Sequence, residues 1–455
     1  MLYGREQEMR FLEQNFQKDG STLLALYGKR RTGKTELLKQ FCKDKSHAFY
    51  VCRETTDGEQ IRLFSKKVLE DSPIKDYVKN FEDWETAFTF LLDEKFGKSV
   101  VIIDEFPYMV QNNTSIPSIL QNVWDAKSEQ SNVMIVLTGS AMTYMENEIL
   151  AGNKPLFGRT AGSYILDELS YSASLSLLGQ KSPWAKEAYG ILGGVPRYLQ
   201  QFSSLKTTEQ NIKDHLLSKG CALNNEVDYL MKQDLREPST YYTILEALAS
   251  GLNRIGEISK QTGLDRTKIN VYLKNLQTYK VVERQQPLAF EPQKNAHNGR
   301  YLISNNYFRF YFRFMYPHYS WLEEGEYDRL YKEMIEPNLS HFLKGSLIPA
   351  VKETILQMHG DRILPMRIHN IGAYWDKSTS FDLLAHDSMN NIMAVELVTD
   401  PSGANLNDLQ NLRDRVALLR LAGVEKTYCL FSLHGFAPTL KQMSELDQSI
   451  LLLNI

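Results

Sequence analysis

Residues 22–38 read TLLALYGKRRTGKTELL. Thr22 to Tyr27 is an apolar run of strand length, and Glu36 to Phe41 is apolar at helical spacing. Between them Gly28, Lys29, Arg30, Arg31, Thr32, Gly33, Lys34 and Thr35 fit G-x-x-x-x-G-K-[ST]. Strand, glycine-containing loop and helix in this order predict a P-loop. Glycines let successive backbone N–H groups curl around phosphates, and the helix N-terminus adds partial positive charge. Lys34 is expected to reach the β- and γ-phosphates of a nucleoside triphosphate, and the Thr35 hydroxyl to hold Mg2+. The predicted fold is α/β, a mainly parallel sheet built around this loop.

Working outward, Val100-Val101-Ile102-Ile103-Asp104-Glu105 is an apolar strand ending in two carboxylates, a Walker B pattern. Asp104 is expected to hold Mg2+ through water, and Glu105 to polarise the attacking water as general base. In isolation such a pair is also a common solvated strand end; the P-loop upstream gives it meaning. Val133 to Leu137 is a further buried strand ending in Thr138-Gly139-Ser140. Thr138 and Ser140 are both candidates for a sensor near the γ-phosphate, against the alternative of an ordinary strand-to-turn cap. Arg159, in PLFGRT, reads either as an arginine finger acting in cis or in trans, or as a surface arginine in a turn.

The 455 residues exceed one ordinary domain. They are 43% hydrophobic and 24% charged, a globular composition. A net charge of −3 gives no global basic field, so nucleic-acid binding would need a local patch. The four cysteines form no CxxC pair, which argues against a zinc site or a disulfide framework. No apolar run approaches the length of a membrane span, and the charged, amphipathic start has no signal-peptide core. A soluble cytoplasmic protein is expected, with no membrane partner.

GKRRTGKT, VVIIDE, LTGS, PLFGRT and GGVPRYL stand in this order, and the set resembles the archaeal-type P-loop ATPases, a family related to the AAA+ and STAND classes. The resemblance implies that Gly4 and Arg5, in LYGREQEM, lie near the nucleotide base. It implies that Pro196, in Gly193-Gly194-Val195-Pro196, contacts the nucleotide from a lid, and it gives Arg159 a nucleotide-linked role. It also implies four parts: an ATPase core over 1–165, a helical lid over 166–236, a winged helix over 237–316 and a restriction-endonuclease-like domain over 317–455.

The residues of the later parts read as follows. Helical patterns fill 166–235. Tyr242 to Ala249, Ile255 to Thr262 and Arg266 to Tyr279 read as three helices, followed by two wing strands, Val281 to Phe290 and Arg300 to Ile303. Gly251 to Arg300 holds nine Lys/Arg against four Asp/Glu, a net of +5, with Arg266, Lys268 and Lys274 on the third helix. Double-stranded DNA is one expected partner; a protein partner or a second copy of the chain is the other reading. Tyr307 to Tyr316, YFRFYFRFMY, is either an RNA-stacking platform or a core helix with arginines at its edge. In the last part Asp382 and Glu396 match a nuclease's metal-binding carboxylates, but the lysine position is Val398, and the upstream helix reads Phe342-Leu343 instead of Phe-Glu. Without those groups nuclease activity is not expected. The function expected is an Mg2+-dependent ATPase acting as a nucleotide-driven switch; the alternative is a nucleotide-gated regulatory or scaffold protein with negligible turnover.

Overall fold

A computed structural model describes residues 2–455 except 71–74, 94–97, 180–183, 235–236, 291–298, 420 and 422. The expected helix end at Leu235, and Glu291 and Lys294 of the charge count, lie outside the described residues. The chain divides into two compact units: Met1–Leu169 with Val195–Arg197, and Ser170–Gly194 with Tyr198–Ile455.

The first unit carries a five-stranded sheet of β1 (Thr22–Tyr27), β2 (His47–Val51), β3 (Ser99–Asp104), β4 (Val133–Gly139) and β5 (Gly162–Ile165). Its order is β2-β3-β4-β1-β5 and every neighbouring pair is parallel. The central strands β1 and β4 are buried at every position, because both faces are covered in a parallel sheet. Leu24 and Leu26 of β1 face the helices Glu6–Phe16 and Lys34–Cys42, packing with Leu12, Leu37, Leu38 and Phe41. Leu23 and Ala25 point the other way, into a cluster with Phe64, Trp84, Phe88, Leu120 and Trp124 from three further helices. This three-layer packing fixes the strand ends and thereby aims the loops that follow them. Two elements escape the sequence reading. β5 is four half-exposed or exposed residues with no apolar run, and the short helix Phe106–Asn112 follows directly on the carboxylates.

The second unit begins with short helices, among them Tyr171–Leu178, Ala185–Leu192 and Glu226–Asp234. Helices Pro238–Ala249, Ile255–Thr262 and Arg266–Thr278 follow, then the antiparallel pair β6 (Val282–Gln285) and β7 (Arg300–Ile303). Asp265 caps the third helix by accepting from the N–H groups of Thr267 and Lys268 at 2.8 and 3.3 Å. Ile269, Leu273 and Leu276 are buried, while Arg266, Lys268, Val271 and Lys274 are exposed. The aromatic stretch is core: Tyr307, Phe308, Phe310, Tyr311, Phe312 and Phe314 are all buried, so they present no face on which bases stack. That removes the RNA-platform reading.

A second sheet closes the unit, with order β12-β11-β10-β9-β8. Its strands are β8 (Asn370–Trp375), β9 (Ser380–His386), β10 (Ile392–Val398), β11 (Lys426–Ser432) and β12 (Ile450–Asn454). β9 runs antiparallel to both neighbours; β10, β11 and β12 are parallel. Val398 is buried in the apolar cluster with Leu409, Leu412 and Val416 of the helix Leu406–Ala417. A lysine there would have no water to reach.

Candidate functional site

The strand order places β4 between β1 and β3, so the ends of three adjacent strands meet at one edge of the sheet. Gly28 leaves β1 in close contact with backbone: a Cβ built on it would lie 2.3 Å from the carbonyl O of Leu166. Gly33, at φ 97°, turns the loop into the helix Lys34–Cys42 in a conformation open to glycine. Thr32 is fully buried and its Oγ1 donates to Lys29 O at 2.9 Å, closing the loop on itself. Lys29 reaches out to Glu168 at 3.1 Å, and Arg30 donates to the Tyr108 hydroxyl at 3.1 Å.

Lys34 is buried, and its Nζ donates back to Gly28 O at 2.7 Å and Lys29 O at 2.9 Å. Burial lowers its pKa below the ordinary lysine value; the Glu105 and Asp104 carboxylates oppose the shift and Arg30 adds to it. Thr35 Oγ1 donates to Asp104 Oδ2 at 3.0 Å. The other Asp104 oxygen, Oδ1, accepts from Thr138 Oγ1 and from the Glu105 N–H at 3.1 Å. Glu105 has φ 54°, in the left-handed region that a side chain adopts at a cost of about 1–3 kcal/mol. This turn swings its carboxylate toward the end of β4, where Oε2 accepts from the Ser140 N–H at 3.0 Å and from Ser140 Oγ at 2.9 Å.

Lys34, Thr35, Asp104, Glu105, Thr138 and Ser140 are therefore brought together, although they are spread over more than a hundred positions. The two hydroxyls expected near the γ-phosphate each hold one carboxylate, Thr138 on Asp104 and Ser140 on Glu105. A hydroxyl and a carboxylate oxygen 3.0 Å apart beside a loop of N–H donors suit a hard divalent cation carried with a phosphate chain. Thr35 and Asp104 are the residues that fit Mg2+.

Other expected residues stand elsewhere in the first unit. Gly4 takes a left-handed φ of 59°. Arg5 is buried; Nη1 pairs with Glu8 Oε1 at 3.0 Å, and Nη2 donates to Thr32 O at 2.9 Å and Asp167 O at 2.8 Å. It ties the N-terminal helix, the P-loop and the segment after β5 together. Arg159 is half-exposed and forked onto Asp125, with Nε–Oδ1 at 3.1 Å and Nη2–Oδ2 at 2.9 Å, and makes no hydrogen bond to the P-loop or the carboxylates. Pro196 opens the short helix Pro196–Leu199 and clusters with the first unit, unlike the residues on either side of that segment.

Cys52 escaped sequence reasoning. Its N–H donates to Asp104 O at 2.8 Å, and burial, reinforced by the Asp104 and Glu105 carboxylates, pushes its thiol well above the ordinary range. The signal was its place at the end of the strand paired with β3, but a pairing partner is not written in sequence.

Residues 2–202 match an ATPase domain found predominantly in Archaea, and residues 311–398 match a family of archaeal and bacterial proteins of unknown function. Over 388 residues the chain is 31% identical to the uncharacterized protein MJECL04 of Methanocaldococcus jannaschii, covering 85% of this chain and 84% of that protein. Among solved structures, the Walker-type ATPase PABY2304 of Pyrococcus abyssi is similar at a TM-score of 0.49 and 22% identity, over 69% of this chain and 96% of its own. Cdc6p from Pyrobaculum aerophilum gives 0.37 and 12%, over 73% and 96%. Among the described residues no helix is long and apolar enough to cross a membrane.

Proposed function

Because the chain belongs to the family of MJECL04 and carries the ATPase domain found predominantly in Archaea, we propose that it is an Mg2+-dependent ATPase whose nucleotide state sets the activity of its second unit. The observation that carries this reading is the pair of engaged carboxylates: Asp104 on Thr35 and Thr138, Glu105 on Ser140. Backbone N–H groups from Gly28 to Gly33 would receive the phosphates, and Lys34 would turn from the two carbonyls it now holds to the β- and γ-oxygens. Bound Mg2+ would neutralise charge on those oxygens, held by Thr35 and Asp104. Glu105 would take the proton of the attacking water while Ser140 fixes its orientation. Arg159, freed from Asp125, would stabilise transition-state charge, and Gly4, Arg5 and Pro196 would shape the base side of the site.

The second unit is read as a lid to 236, a winged helix over 237–316 and a restriction-endonuclease-like domain beyond. The exposed Arg266, Lys268 and Lys274 suit DNA phosphates. Glu105→Gln is the test. It should keep ATP bound and stop hydrolysis, whereas Lys34→Ala should lose the nucleotide; a Glu105→Gln protein turning over at the parental rate contradicts the base assignment. The fork of Arg159 on Asp125, away from Asp104 and Glu105, favours a second reading, a nucleotide-gated binder with negligible turnover. Single-turnover hydrolysis measured with and without duplex DNA separates the two.

A further inference from the structure

Arg309 lies in the helix Asn306–Phe310, and its guanidinium rests on the long helix Glu336–Gly360 at Gly345. A Cβ built on Gly345 would come within 2.6 Å of Nη2 and 3.2 Å of Cζ. Glycine is unfavourable inside a helix, and here its missing side chain makes a slot for a guanidinium. The Phe342 ring lies 6.0 Å from Cζ. Arg309 is half-buried, and among the described residues its side chain makes no hydrogen bond or ion pair, so a fork of N–H donors stands open.

The surroundings are cationic. Continuing the β9–β10 register brings Asp382 opposite Glu396. Both oxygens of Glu396 are taken, Oε1 by Lys344 Nζ and Oε2 by Arg415 Nη2. Asp382 is exposed and bonds to nothing among the described residues, while its charge is felt by both Arg309 and Arg300. Arg300 stacks 4.3 Å over the Trp375 ring with its Nε buried and unpartnered. A third carboxylate, Glu283, also acts on Arg309 and is itself countered by Lys352, so Asp382, Glu396 and Glu283 stand among five cations, Arg309, Arg300, Lys344, Arg415 and Lys352. A divalent metal would have to displace Lys344 and Arg415 from Glu396 and enter an electropositive field; an oxyanion finds donors ready. Arg254 is near enough to press on the charge of Arg300, which joins this slot to the basic segment 251–300. A polyanion can answer both ends.

We propose that the Arg309 slot is an oxyanion site that takes a phosphate group, and that a backbone phosphate of duplex DNA supplies it. The proposal rests on the reading that the second unit meets DNA, and places a contact outside the three helices. A guanidinium fork matches two phosphate oxygens at once.

Fluorescence anisotropy of a labelled duplex against the full chain, over a series of salt concentrations, tests it. Arg309→Gln should weaken binding about tenfold and lower the salt slope by about one, the contribution of one phosphate. Gly345→Ala, which crowds the guanidinium but keeps its charge, should weaken binding in the same direction. Asp382→Asn, an exposed change that leaves the fold intact, should tighten binding several-fold by removing a like charge beside the phosphate. If Lys268→Gln weakens binding while Arg309→Gln, Gly345→Ala and Asp382→Asn leave affinity and slope unchanged, the slot is wrong and the wider DNA reading survives. If the parental chain binds no duplex at low salt, both fall. Titration with inorganic phosphate identifies the source: phosphate binding lost in Arg309→Gln without any duplex binding overturns DNA as the ligand. Mg2+-dependent duplex binding abolished by Asp382→Asn overturns the oxyanion site in favour of a metal.

Discussion

Ser140 holds Glu105 by two hydrogen bonds to a single oxygen, from its backbone N–H at 3.0 Å and from its hydroxyl at 2.9 Å. Ser140→Ala keeps the first and removes the second, a charge-assisted bond worth about 1.5–3 kcal/mol. Turnover should fall about tenfold to a hundredfold with the KM for ATP little changed, and Ser140→Thr should restore part of it. A fall in ATP affinity with kcat intact would place Ser140 on the nucleotide instead.

Arg5 is both a buried ion-pair partner and a donor to two carbonyl groups. Arg5→Ala leaves Glu8 charged and buried and strands the Thr32 and Asp167 carbonyls. The loss should be about 3–5 kcal/mol, read from the denaturant midpoint of the nucleotide-free protein. An unchanged midpoint with weakened ATP binding would make Arg5 a base contact and nothing more.

Gly28→Ala puts a methyl group 2.3 Å from the Leu166 carbonyl, and that partner is backbone, which yields only by moving β1 or the segment after β5. The cost should be about 1–3 kcal/mol, with nucleotide affinity lost as the loop shifts. Binding of ATP at parental affinity would mean that the loop accommodates the methyl group freely.

Lys34 is depressed chiefly by burial. Below its folded pKa the chain carries a desolvated charge; between that value and the ordinary lysine value of about 10.4 the unfolded chain holds more protons. Stability contributed by this group therefore rises with pH across that window. Phosphate oxygens pull the pKa back up, so ATP binding should take up protons, increasingly as pH rises toward the window. Calorimetric titration in two buffers of different ionisation enthalpy measures this; zero uptake throughout would detach Lys34 from the phosphates.

The P-loop strand is legible to the residue, because Thr22 to Tyr27 is uninterrupted apolar sequence bounded by glycine. Asp104 and Glu105 are legible for the same reason, at the end of a run that both faces of a parallel sheet must bury. Local pattern determines such elements: hydrophobic period, glycine position and the carboxylates at a strand end are properties of neighbouring residues. The closing strand β5 has no such pattern, since GSYI gains its place from pairing with β1. Contacts across the chain lay beyond sequence altogether. Nothing near Glu396 announces that Lys344 and Arg415 will close on it from two different helices, nor that Gly345 will leave room for Arg309. Those are consequences of which helix packs on which strand. The sequence by itself determined that a P-loop and a pair of carboxylates at a strand end are present. Only the tertiary structure decided which groups hold each carboxylate, because charge and hydrogen bonding act through space and take no account of order along the chain.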